Sequence, residues 1–196
     1  MRLPTTAHTS QPWRIHEIAY DFRIEDVWAL PTPGGPGDFP LLMGMATSTD
    51  PERGSSAVVR TLFAIRWKLG ELLGWNDDRP RSATPVATLR DRLPADLRDG
   101  PAAPELAGSL PFRSLYLTDN EWAAEIANRT MHGVMHLGWV PDGTGGYRGQ
   151  MAVLVKPNGL LGRAYMAAIL PFRYLIVYPR MLEEMGRRWR AGAVPA

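Results

Sequence analysis

The sequence predicts an α+β domain in which an antiparallel sheet wraps around a long C-terminal helix. Three observations predict it. From Phe112 onward the chain breaks into four stretches of alternating or strand-rich composition separated by turn signals. A run of 15 residues from Ala164 to Tyr178 is almost wholly apolar and continues into an arginine-rich end. Upstream, "SSAVVRTLFAIRWKLGELLGW" carries Val58, Leu62, Ile65, Leu69 and Leu72 at spacings of three and four, which describes an amphipathic helix.

The elements follow in order. "WRIHEIAYDF" alternates, with Ile15, Glu17 and Ala19 against His16, Ile18 and Tyr20, and reads as a strand over residues 13–22. "RIEDVWAL" spaces Ile24, Val27 and Trp28 like a short helix that Pro31 stops. "PTPGGPGDFP" is a loop by composition. The helix over residues 55–74 can be capped by Ser55 or Ser56 and ended by Gly74. Residues 76–110, rich in Pro, Asp, Arg and Ala, read as an irregular excursion with a short helix near 89–93. "FRSLYLT", "EWAAEIAN", "MHGVMHLGWV" and "YRGQMAVLVK" are then four strands, joined by "DN" and, as a hairpin turn, "PDGTGG". The whole chain, 1–196, is expected to be a single domain with a helical and irregular insertion at about 50–110.

The apolar C-terminal run poses the sharpest question. A membrane span needs about 20 apolar residues. This run is shorter and holds Arg173, which would cost roughly 2.5–3.5 kcal/mol at bilayer depth. Leu161, Tyr165, Ile169, Phe172, Ile176, Leu182, Met185 and Trp189 recur at helical spacing, so the segment reads as a buried helix. Pro171 and Pro179 each remove a backbone donor and should kink or segment it.

Composition narrows the function classes. The chain has 196 residues, 45% of them hydrophobic, and a net charge of +2. Lys68 and Lys156 are the only lysines, so the basic balance is a dispersed arginine surface that does not argue for nucleic acid. With no cysteine, disulfides, thiol nucleophiles and thiolate metal sites are excluded. The first residues carry no apolar core of a secretory signal, so a cytoplasmic location is expected. No cofactor is implied.

Candidate chemistry is sparse. His132 and His136 at i and i+4 could share a metal on a helix, but on a strand they stand about 13 Å apart. The strand reading places them on the outer face and puts Met131, Met135, Leu137 and Trp139 on the core face. Asp119, Glu121 and Glu125 could do acid–base work, yet a turn and an alternating strand ordinarily hold solvated carboxylates. No serine stands in a nucleophile elbow. "GTGG" precedes a strand and so is not a phosphate loop. "NRT" at 128–130 reads as a turn. Met131, Met135, Met151, Val153 and Val155 would face the C-terminal helix, and Tyr165, Met166 and Phe172 would answer from it, either around an apolar pocket or as a filled core.

Three stretches carry a resemblance to a known superfamily: "LFAIRWKLGELLGW", "DNEWAAEIANRTMH" and above all "KPNGLLGRAYMAAILPFRYLIV", with Asn158, Gly162, Arg163, Tyr165, Pro171 and Phe172. The layout resembles the SRPBCC, START-like or helix-grip superfamily, and more narrowly a bacterial family of unknown function assigned to it. That family often has histidine where this chain has Arg173. The resemblance implies an apolar cavity between sheet and helix and no particular reaction. On it rest three expectations. One is a binder of a small hydrophobic molecule, with Tyr165, Arg163 and Arg173 as polar contacts and Met135, Met151, Phe172 and His132 as further candidates. The second is a cyclase- or hydrolase-like enzyme using the same cavity, with Tyr165 or His132 as proton donor. The third is a pocketless interaction module.

Overall fold

The computed structural model describes residues 1–47, 88–100, 102–105, 112–127 and 131–192. Within the C-terminal helix the side chains of Leu161, Ala164, Tyr165, Ala168, Ile169 and Phe172 lie outside that description, as do the expected helix at 55–74 and the turn at 128–130.

Six strands form one antiparallel sheet. They are β1 (Arg2–Leu3), β2 (Arg23–Ala29), β3 (Arg113–Leu117), β4 (Glu121–Ala127), β5 (Met131–Pro141) and β6 (Tyr147–Pro157). The spatial order is β1-β2-β6-β5-β4-β3. Strands β3 to β6 are the expected meander, and β2 closes onto the far side of β6. The β5–β6 turn holds Gly143 and Gly145 at φ of 86° and 97°, a region that excludes most side chains. Asp142 Oδ1 ties that turn by accepting from the Thr144 and Gly146 amides at 2.7 and 3.1 Å.

The N-terminal third corrects the sequence reading. Residues 13–22 hold no strand; they contain a single helical turn, α2 (Ile15–Ile18), preceded by α1 (Thr6–Thr9). Ile15 and Ile18 are both fully buried, so their spacing of three decided the matter over the apparent alternation. The expected helix at "RIEDVWAL" is β2. Its register slips between Ile24 and Asp26, where Ile24 opposes Leu154 and Asp26 opposes Val153. This bulge breaks the two-residue period and gives the strand its helix-like spacing.

Both faces of the sheet are covered. On one face Val27, Val134, Val140, Ala152 and Leu154 pack against Trp13, Ile15, Ile18, Leu89 and Leu93. Leu89 opens a 3-10 turn, Leu89–Arg92, and Leu93 follows its end, with α4 (Ala95–Arg98) next. On the other face Trp28, Leu137, Trp139 and Met151 meet α3 (Phe39–Thr47) through Phe39, Leu42 and Met43.

The C-terminal segment lies on that second face. It runs as α5 (Gly159–Phe172), a π-helical stretch (Arg173–Val177) and α6 (Tyr178–Arg190). Pro171 sits inside α5, and the ladder it interrupts resumes with the wider π spacing. Pro179 falls in the first turn of α6, where a missing N–H costs little. Met166 packs on Val155, while Tyr178, Met181, Leu182, Met185 and Trp189 pack near Trp28, Trp139 and Met151. The outer side is open: Leu160 is 81% and Leu175 77% exposed. The segment is therefore covered on one side rather than buried all round. Among the described residues no helix is long and apolar enough to cross a membrane.

Candidate functional site

The sheet face under the N-terminal segment holds the first polar centre. β4 and β5 pair so that Glu121 opposes Gly138 and Glu125 opposes Val134. Glu121, Glu125, His132 and His136 thus share one face, and each carboxylate reaches the histidine two residues before its direct partner. His132 Nε2 lies 2.7 Å from Glu125 Oε2, and His136 Nε2 lies 2.8 Å from Glu121 Oε2. Equal spacing on the two strands builds the same diagonal pair twice.

All four side chains are buried: Glu121 2%, Glu125 5%, His132 6% and His136 1% exposed. This corrects the expected outer-face histidines and the solvated reading of Glu121 and Glu125, while Asp119 in the β3–β4 turn is exposed as expected. The cover is the N-terminal segment and residues 88–97, distant in sequence from the strands they hide. Gly138 makes room for it, since a Cβ there would stand 2.6 Å from ring carbons of Trp13. The Trp13 ring in turn packs 5.1 Å from that of His136.

Each carboxylate is fully engaged. Glu125 accepts from the Leu89 amide at 2.9 Å and from the Thr88 hydroxyl. Burial alone would raise Glu125, but the bonds from His132, Thr88 and the Leu89 amide outweigh it and hold it below the usual range. Glu121 accepts the Arg14 amide on Oε1 at 2.8 Å and the Tyr116 hydroxyl on Oε2 at 3.1 Å. Burial, with Glu121 beside it, pushes the Tyr116 phenol well up.

The Glu121 centre extends outward through two more rings. His8 Nε2 lies 3.2 Å from His136 Nδ1, and His16 Nε2 lies 3.0 Å from His8 Nδ1. With Glu121 accepting at the inner end, His136 donates from Nε2 and accepts on Nδ1. The same assignment then repeats at His8 and His16, so every Nε2–H points inward. His8 is fully buried. Burial, reinforced by His136 and His16, lowers its pKa to about 2. His16, half-buried at the outer end, is lowered as well, again chiefly by burial. Four of these nitrogens face one another in two N–H···N bonds, and among the described residues no group of three or more His, Cys, Asp or Glu could hold a metal ion.

The opposite face carries a second polar centre. The β2 bulge turns Asp26 toward the C-terminal segment, where it is 2% exposed. Asp26 accepts from Arg173 Nη2 at 2.7 Å, from the Tyr178 hydroxyl at 3.2 Å and, on its other oxygen, from Trp28 Nε1 at 3.1 Å. Burial holds Asp26 above the ordinary carboxylate range against the pull of Arg173 and these bonds. Arg173 sits in the π-helical stretch and also donates from Nε to the Tyr178 hydroxyl at 3.1 Å. Asp26, Val153 and Met135 form one row across β2, β6 and β5, and the last two are only half-buried.

The residues picked out from sequence divide accordingly. Arg173, Met135 and Met151 share the helix-facing side, with Met151 2% exposed. Arg163 is exposed on α5. His132 lies on the other face, bonded to Glu125. Tyr165 and Phe172 belong to α5, and their side chains lie outside the described residues. Sequence reasoning missed Asp26, Tyr178, His8 and His16, and assigned Glu121 to solvent. One signal was available: Glu-x3-Glu followed by His-x3-His on adjacent strands.

The described residues also outline two clefts. One, of about 500 Å³, lies along Thr88, Leu93, Leu97 and Arg98. The other, of about 230 Å³, lies between α3 and the end of α6 at Met45 and Trp189.

A family model described as "Protein of unknown function (DUF2867)" matches residues 18–180. No curated protein matches the chain, and no solved structure does.

Proposed function

The chain belongs to the DUF2867 family, and from that premise we propose that it binds a small, mostly apolar molecule between the sheet and its C-terminal helical segment. One observation carries the reading. The half-buried floor of Val153 and Met135 runs in a single cross-sheet row to the buried Asp26–Arg173 pair. Apolar surface with one fixed polar group at its edge is the usual make-up of a small-molecule site. Arg173 supplies donors for a carbonyl, hydroxyl or carboxylate on the ligand, and Met135 and Met151 supply an adaptable wall.

The arrangement of sheet and helix supports the same reading. We read the six-stranded antiparallel sheet, whose first long strand closes onto its last, with the C-terminal helical segment across one face, as a helix-grip layout. The π-helical stretch at Arg173 adds weight, since such stretches recur at functional sites.

Fluorescence titration with anilinonaphthalene sulfonate, an apolar anion, tests the proposal. The protein should bind it saturably. Met135→Trp, which fills the floor, should weaken binding by about tenfold or more, equivalent to ~1.4 kcal/mol, without loss of stability. Unchanged binding in that variant would place the dye elsewhere and remove the reading.

A further inference from the structure

We propose that His16, His8, His136 and Glu121 form a proton-conducting relay from solvent into the sheet face. The relay uses three of the four histidines in the chain and draws each from a different element. His16 comes from α2, His8 from α1 and His136 from β5, and the acceptor Glu121 comes from β4.

The geometry fixes both what it can carry and how. The links are 3.0 Å from His16 to His8, 3.2 Å from His8 to His136 and 2.8 Å from His136 to Glu121. In the resting arrangement each ring is neutral, protonated on Nε2 and accepting on Nδ1, and only the outermost Nδ1, on His16, is left for an incoming proton. A proton added there need not break any bond. His16 passes its Nε2 proton to His8 Nδ1. His8 passes its own Nε2 proton to His136 Nδ1, and His136 passes its Nε2 proton to Glu121 Oε2. One proton enters, one arrives and three rings exchange tautomer. Glu121 ends as a neutral acid that donates to His136 Nε2, and every link survives with its direction reversed.

Two features favour transit over storage. His8 is fully buried, with the neighbouring rings adding to the penalty on an imidazolium there, so a proton passes through rather than resting. Glu121, by contrast, has other bonds that tolerate either state. The Arg14 amide donates to Oε1 and the Tyr116 hydroxyl can donate to or accept from Oε2.

Among the described residues the ionisable neighbours are few. Tyr116 faces the relay from β3. Arg14, engaged by Asp96, and Glu17 face its α2 end. Trp13 and Gln150 are neutral walls, each with a buried polar atom that has no partner among the described residues. The relay lies on the opposite face from Asp26 and Arg173, so it stands or falls independently of the proposed ligand site. A network that served only to pin the N-terminal segment would keep one tautomer throughout.

The experiment is a pH titration of protein labelled with 15N in histidine and 13C in the glutamate carboxyls, read by NMR. As Glu121 takes up its proton, His8 and His136 should switch from Nε2–H to Nδ1–H in the same step, with neither becoming imidazolium. In Glu121→Gln, which removes the proton acceptor, the switch should be absent. If His16→Phe folds, Glu121 should lose that coupled step. Retention of the Nε2–H tautomers while Glu121 protonates would overturn the relay. So would an imidazolium at His8 or His136, or a switch that persists in Glu121→Gln.

Discussion

Arg173 Nη2 stands 2.7 Å from Asp26 Oδ2 across 147 residues of sequence. The contact joins the C-terminal helical segment to the second strand of the sheet. It exists because a bulge turns Asp26 to the helix side and a π-helical stretch lowers Arg173 onto it.

Arg173→Met should therefore destabilise the fold by about 3–5 kcal/mol at neutral pH, the usual cost of leaving a buried charge unpaired. Asp26 already sits above its ordinary range, and losing the guanidinium raises it further. A raised carboxyl favours the folded state at low pH, so the deficit should shrink as pH falls toward 4. Urea unfolding at pH 7.5 and pH 4.5 checks this. A deficit that grew on acidification would contradict the assignment.

The histidine relay makes the opposite pH prediction. His8 is lowered to about 2 in the folded chain from about 6.5 when unfolded. Its contribution is complete above pH ~6.5 and is lost progressively as pH falls toward 2. Each proton taken up only on unfolding lowers stability by about 1.4 kcal/mol per pH unit in that window. His8→Phe should lower stability at pH 7.5 by about 1–3 kcal/mol, because His136 and His16 lose partners. It should also flatten the decline between pH 6.5 and 4.5. An unaltered slope in denaturant titrations would show that His8 is not held neutral.

Gly138 and Trp13 test the cover over the buried pairs. Gly138→Ala puts a Cβ 2.6 Å from the indole and should cost about 1–3 kcal/mol as an overpacked core site. Trp13→Leu in the same chain should recover part of that loss. Additive losses in the double variant, measured by thermal unfolding, would mean that Trp13 does not rest on Gly138.

Legibility in the sequence followed local signals. The four strands from β3 to β6 were readable because alternation, Gly-rich turns and spacing agree there. β2 was not, because one extra residue near Glu25 shifts its alternation midway. α2 is a single turn, too short for periodicity to declare itself. The polar centres were hidden for a different reason. Glu121, Glu125, His132 and His136 look solvent-facing on their own strands, and only cover brought from residues 8–18 and 88–97 buries them. Arg173 was visible as an arginine out of place in an apolar run, but its partner Asp26 could not be found while β2 was read as a helix.

Native mass spectrometry tests the central claim, binding of a small apolar molecule on the helix-facing side of the sheet, most directly. The protein is incubated with a small-molecule extract of low polarity, desalted, and compared with Met135→Trp treated alike. The account predicts a discrete non-covalent mass increment at one molecule per chain, present in the parent protein and lost in Met135→Trp while both remain folded. Spectra of both proteins at the bare chain mass, or the same increment on each, would contradict it.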